Sequence, residues 1–110
     1  MDLATNQGAA ERDSRVQVTA YYPSAAREKT FPAHLEQSLR TTVAEAYQKL
    51  EEQPRPGDTI LCRHGAPRTD LTPYLDQSLA QLAREGICVH EHQDRAYTLA
   101  FDIDTEAGGA

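Results

Sequence analysis

The residues best placed to do chemistry lie near the C-terminal end of the sequence. Gly108-Gly109 follows Asp104-Thr105-Glu106-Ala107 and precedes Ala110. Glycine has no Cβ, so a diglycine backbone threads a channel too narrow for other residues. A carboxylate exposed at Gly109 can be adenylated in another enzyme's active site and passed to a thiol. The plainer reading is a frayed, glycine-rich end. Two other sets invite a metal reading. Cys62 and His64 share one face of a strand, as do Cys88, His90 and His92. If those faces converged they would offer zinc ligands, but C-x-H is not the spacing of structural zinc sites. Cys62 fits a small core residue and the histidines fit solvated strand-face positions, so no metal site is expected. Catalytic residues are not expected either. Both cysteines fall within strands, no glycine-rich phosphate loop is present, and Glu51-Glu52 reads as a solvating pair at a helix end. Lys29 and Lys49 are acceptor candidates for chain formation, though exposed lysines are ordinary. The chain reads as a non-enzyme without a cofactor of its own.

Composition narrows the class. A chain of 110 residues with 39% hydrophobic and 25% charged residues suits one globular domain. Seventeen acidic against eleven basic residues give a net charge of −6. Nucleic-acid binders carry a basic footprint, so nucleic acid is not an expected partner. No apolar run reaches the ~18 residues that span a bilayer, and Met1–Ser14 lacks the apolar core of a signal peptide. A cytoplasmic location without membrane partners follows as the expectation. In that compartment Cys62 and Cys88 are expected as reduced thiols.

The elements that would position the diglycine can be read in turn. Residues 1–14 show no periodicity and are expected to form a disordered leader. No internal repeat is apparent. Arg15 to Tyr22 alternates as a strand, and Pro23 to Ala26 supplies a turn. Glu28 to Leu35 is a second strand, with Pro32 marking an edge or bulge. A helix is predicted over Thr42–Glu52, with Thr42 and Glu45 as a capping box and Pro54, Pro56 and Gly57 beyond its end. Asp58 to His64 reads as a third strand. Thr72 and Pro73 open a second predicted helix, Leu75, Leu79 and Leu82 form its apolar stripe, and Gly86 stops it. Ile87–His92 and Ala96–Ile103 are strands four and five, joined by Gln93-Asp94-Arg95. The expected fold is α+β: a mixed sheet of about five strands packed on a helix, with a second helix before the last two strands. The domain spans residues 15–103, and 104–110 is a flexible tail.

This order, together with Gly108-Gly109, resembles the ubiquitin-like β-grasp family over about residues 15–109. The hairpin Val16–Leu35, the helix, its proline-rich exit Gln53–Asp58, the strand Thr59–His64 and the closing strand Tyr97–Ile103 follow the ubiquitin pattern in sequence. The chain is most similar in look to bacterial ubiquitin-like modifiers encoded beside activating, conjugating and isopeptidase-like enzymes, some in anti-phage defence operons. The resemblance implies a protein modifier. A metal-dependent peptidase would remove Ala110, an ATP-dependent activating enzyme would adenylate Gly109, and a conjugating enzyme would carry it to target proteins. Asp104, Thr105, Glu106 and Ala107 would be the tail residues read by the activating enzyme. Ubiquitin's tail is basic, whereas Asp102, Asp104 and Glu106 make this one acidic. A cognate enzyme is then expected to present a basic groove.

Two alternatives stand beside the modifier. Sulfur-carrier proteins of the same superfamily use a C-terminal thiocarboxylate, but they usually end at the second glycine. A winged-helix interaction module is suggested by Ser78–Gly86 followed by the hairpin Ile87–Phe101. It needs another helix immediately before Ser78, and its recognition helix would carry one basic residue, Arg84.

Overall fold

Alternation governs the first strand. In β1 (Arg15–Tyr22), Val16, Val18, Ala20 and Tyr22 are buried, while Arg15 and Gln17 face solvent. The structure, a computed structural model, describes residues 15–63, 69–92 and 96–105. β2 (Arg27–His34) returns antiparallel to β1 and places Pro32 opposite Gln17. β2 is an edge strand, where proline's missing N–H costs least. β3 (Thr59–Cys62), β4 (Val89–Glu91) and β5 (Tyr97–Asp104) complete a mixed five-stranded sheet. Its order is β2-β1-β5-β3, with β5 parallel to β1 and antiparallel to β3. β4 pairs with the first half of β5, from Tyr97 to Leu99, and β3 with the second half, from Phe101 to Asp104.

Two helices contribute to the same core. α1 (Leu39–Leu50) supplies Leu39, Val43, Ala46, Tyr47 and Leu50, and α2 (Leu79–Glu85) supplies Leu79 and Leu82. They join Phe101, Ile103, Leu99 and the inward residues of β1 in one apolar cluster. The architecture is α+β with a mixed sheet, as expected from the sequence.

Both helix starts differ from the sequence reading, for one shared reason. The N-cap of α1 is Ser38, not Thr42: Ser38 Oγ accepts from Thr41 N at 3.1 Å. Thr42 lies one turn inside, fully buried, with its Oγ1 donating to Ser38 O. The second predicted helix is broken. Thr72–Tyr74 is a 3-10 turn, and α2 begins only after Ser78, whose Oγ accepts from Gln81 N at 3.1 Å. The cause is a reciprocal backbone pairing. Leu39 N donates to Gln77 O and Leu79 N to Gln37 O, both at 2.9 Å. Arg40 N donates to Leu75 O and Ala80 N to Leu35 O, both at 2.8 Å. The carbonyls of Leu75 and Gln77 are thus engaged by α1's first residues instead of a continuing helix. Ser38 and Ser78 face each other at the centre. The paired segments are Leu35-Glu36-Gln37-Ser38-Leu39 and Leu75-Asp76-Gln77-Ser78-Leu79, a near-identical repeat at a spacing of forty. The chain therefore does contain an internal repeat.

Gly86 ends α2 as expected, at φ +70°. β4 starts later than Ile87 because Cys88 adopts a left-handed backbone, φ +64°. α2 follows β3 and the 3-10 turn. Among the described residues no α-helix stands immediately before it, as a winged helix would need. Among them, too, no helix is long and apolar enough to cross a membrane.

Candidate functional site

The parallel pairing of β1 with β5 decides where the chain leaves the sheet. Ala20 lies opposite Phe101 and Tyr21 opposite Asp102. The C-terminal end of β5 is therefore beside Pro23–Ala25, the 3-10 turn that joins β1 to β2. The last ladder pair of β5 is Asp104 with Thr59. Asp104, expected as the first tail residue, instead closes the strand, with its side chain exposed. Thr105 has left the ladder but remains buried, at 8% exposure. Its Oγ1 shares a short hydrogen bond with Ser24 Oγ in the turn. Glu106, Ala107, Gly108, Gly109 and Ala110 lie outside the described residues, as do residues 1–14.

The same region is tied to α1. Arg27 Nη1 donates to Leu50 O at 2.7 Å, and Glu52 Oε2 is 3.8 Å away. A cation at the last carbonyls of α1 complements the helix dipole. Tyr47 Oη donates to Asp58 Oδ2 at 2.5 Å, and the same oxygen accepts from Arg55 N at 3.0 Å. These bonds hold residues 51–58 between α1 and β3.

Burial, then the hydrogen bond and negative charge of Asp58, push the Tyr47 hydroxyl well above its ordinary value of about 10. An unfolded Tyr47 ionises near pH 10 while the folded one keeps its proton. The unfolded state binds fewer protons there, so stability is full below pH 10 and falls as pH rises. The expected loss is about 1.4 kcal/mol per pH unit above 10. Urea unfolding midpoints between pH 8 and 11 measure it. Tyr47→Phe is expected to flatten that alkaline limb, and an unchanged slope would rule out Tyr47 as its source.

The cysteines depart from expectation. Cys62 and Cys88 form a disulfide with Cα atoms 5.8 Å apart, instead of standing as reduced thiols. β3 and β4 meet nearly end to end along β5, with Cys62 opposite Phe101 and Val89 opposite Leu99. That register brings both cysteines into bonding range. Of the residues considered for zinc, Cys62 and Cys88 meet, and their thiols are spent on each other. Among the described residues no three metal-ligating side chains cluster. His90 and His92 are exposed, and His92 Nε2 lies 2.8 Å from Thr98 Oγ1. His64 lies outside the described residues. Lys29 and Lys49 are both exposed.

On the sheet face away from the helices, Asp102 is 2% exposed. It accepts from Arg63 Nη1 at 2.6 Å, and the Arg63 guanidinium lies 3.8 Å from the centroid of the Tyr21 ring. Asp102 is therefore an internal residue of β5 and not part of an acidic tail. Sequence reasoning missed this cluster. The available signal was a carboxylate at an outward position between Phe101 and Ile103.

No protein-family model matches the chain, and a search of curated proteins likewise finds no match.

Proposed function

We propose that the chain is a ubiquitin-like β-grasp modifier, attached to target proteins through Gly109 by a bacterial conjugation system. One observation carries the reading. A hairpin, a helix and a closing strand parallel to the first bring the chain out at Thr105, only three residues before Gly108-Gly109. Such a segment has no bulky side chain at its end and suits a narrow channel.

The chemistry then proceeds in four steps. A metal-dependent peptidase hydrolyses the Gly109–Ala110 bond, water supplying the hydroxyl of the new carboxylate. The Gly109 carboxylate attacks the α-phosphate of ATP in an activating enzyme and pyrophosphate leaves. A cysteine thiolate displaces AMP to give a thioester. A target amine then displaces that thiolate, forming an amide and losing a proton. ATP, metal and catalytic groups belong to the partners, and this chain is the cargo.

Intact mass and an immunoblot of native-host lysate test the reading. The expected result is a species ending at Gly109 together with a ladder of heavier adducts. Gly109→Ala and removal of residues 108–110 are each expected to abolish the ladder. A ladder unchanged by both variants overturns the proposal. Replacement of one oxygen by sulfur without adducts would identify a sulfur carrier instead.

A further inference from the structure

We infer that the Cys62–Cys88 pair is a reversible redox switch whose moving part is β4, and that the reactant it takes is a dithiol. This inference goes beyond the modifier reading and does not depend on it. Three observations carry it. First, the bond ties a short peripheral strand to a fixed one. β4 has three residues, lies off the β2-β1-β5-β3 path and, among the described strands, pairs with β5 alone. Cys62 is held from both sides: it lies opposite Phe101 of β5, and its amide donates to Thr69 O at 2.8 Å. Second, Cys88 takes a left-handed backbone, φ +64°, at the point where β4 joins the bond. A side chain disfavours that conformation, and release of β4 relieves it. Third, Cys88 Sγ lies 3.3 Å from Ala100 O in a buried setting. A disulfide sulfur has no proton to donate, whereas a thiol at that place has one. The fold thus already holds an acceptor for the reduced state.

The exchange proceeds through an opening of β4, because both sulfurs are buried. A thiolate of the dithiol attacks Cys88 Sγ, which moves with β4, and forms a mixed disulfide there. Cys62 leaves as a thiolate and takes a proton. The second thiolate of the dithiol then displaces Cys88, which is protonated in turn, and the reactant closes its own disulfide. Two electrons pass to the protein. The chain has only two cysteines, so within one molecule the released thiols can rejoin only each other. In the oxidised state β4 is seated on Tyr97–Leu99 and Val89 is 2% exposed. In the reduced state β4 opens, baring Val89 and that half of β5. The pairings of β1 with β2 and β5, and of β3 with β5, do not involve β4 and persist. When β4 reseats, the Cys88 thiol donates to Ala100 O beside Cys62, and reoxidation closes the bond.

Two measurements on the full chain test the switch. The first equilibrates it with mixtures of reduced and oxidised dithiothreitol and counts alkylated thiols by intact mass. Both thiols are expected to appear together, at one midpoint reached from either direction, with the far-UV circular dichroism of the folded chain retained. Thiols that appear only as the dichroism is lost, or that do not re-form the bond, overturn the switch. The second is amide hydrogen exchange of His90 in β4 against Val18 in β1, oxidised and reduced. In the reduced chain His90 is expected to exchange at least tenfold faster than Val18 and without dependence on low urea, the mark of a local opening. Equal rates for His90 and Val18 in the reduced chain would mean that the domain opens as a whole, and would overturn β4 as the moving part. The double variant Cys62→Ala, Cys88→Ala is expected to show the fast His90 rate with and without reductant. A His90 rate that still responds to reductant in that variant overturns the assignment to this pair.

Discussion

Reduction of the Cys62–Cys88 bond is expected to lower the stability of the fold by about 3.5 kcal/mol. The two cysteines are 26 residues apart in sequence. A cross-link of that span removes much of the freedom of the unfolded chain, and the figure follows from loop-closure entropy at that length. The folded side of the balance is also affected. β4 has three residues, and Cys88 beside it holds a left-handed backbone that a side chain disfavours. Without the bond, that conformation rests on packing alone. Thermal unfolding with and without reductant measures the effect, and a fall of about 15 °C is expected for a chain of this size. Both cysteines are nearly inaccessible, at 3% and 5% exposure, so reductant acts mainly through transient opening. The double variant Cys62→Ala, Cys88→Ala is expected to be insensitive to reductant and to unfold near the reduced midpoint. A wild-type midpoint that ignores reductant would show that the pair does not stabilise the fold.

Phe101→Ala is expected to cost about 4 kcal/mol, a large part of the 5–15 kcal/mol that holds a typical domain together. Phe101 has no exposed surface and heads the fully buried side chains by size. It sits mid-strand in β5, opposite Ala20 of β1 on one side and Cys62 of β3 on the other. Alanine at position 20 leaves room for the ring, so truncation opens a cavity that neighbours on two strands cannot fill. Phe101→Leu keeps most of the volume and is expected to cost under about 1.5 kcal/mol. Urea unfolding of both variants decides the matter. A loss below 1 kcal/mol for Phe101→Ala would place the centre of the core elsewhere.

The strands were the most legible part of this sequence. β1 is buried mainly on one face, so Val16, Val18 and Ala20 recur at every second position, and in β5 Leu99, Phe101 and Ile103 keep that spacing although Ala100 and Asp102 between them are buried too. Pro32 marked its edge strand because its missing donor has a local effect. The helix starts were misread because their determinants are distant. Thr42 and Glu45 imitate a capping box, while Ser38 does the capping in a segment held by residues forty positions away. The repeat itself was visible as Leu-Glu-Gln-Ser-Leu and Leu-Asp-Gln-Ser-Leu, but short matches attract little notice beside periodicity. Reduced thiols were expected from an argument about compartment, which says nothing of the register that brings Cys62 to Cys88. At the candidate site the diglycine was plain in the sequence. The Ser24–Thr105 contact was not, because two hydroxyls 81 residues apart carry no local signature.

The reciprocal pairing of residues 35–40 with 75–80 also bears on how the chain folds. Neither helix can satisfy its first amides alone: Leu39 and Arg40 need carbonyls ahead of α2, and Leu79 and Ala80 need carbonyls ahead of α1. A loop of about forty residues must close before any of the four bonds forms, and that closure is an entropic toll met once for all four. Nucleation of the two helices is thereby linked across the loop, and partial structures with only one helix correctly begun are disfavoured. The near-identical arms act as a mutual template, each presenting to the other the acceptors that its own helix lacks. Cooperativity between the two halves of the molecule is thus encoded in a five-residue phrase written twice.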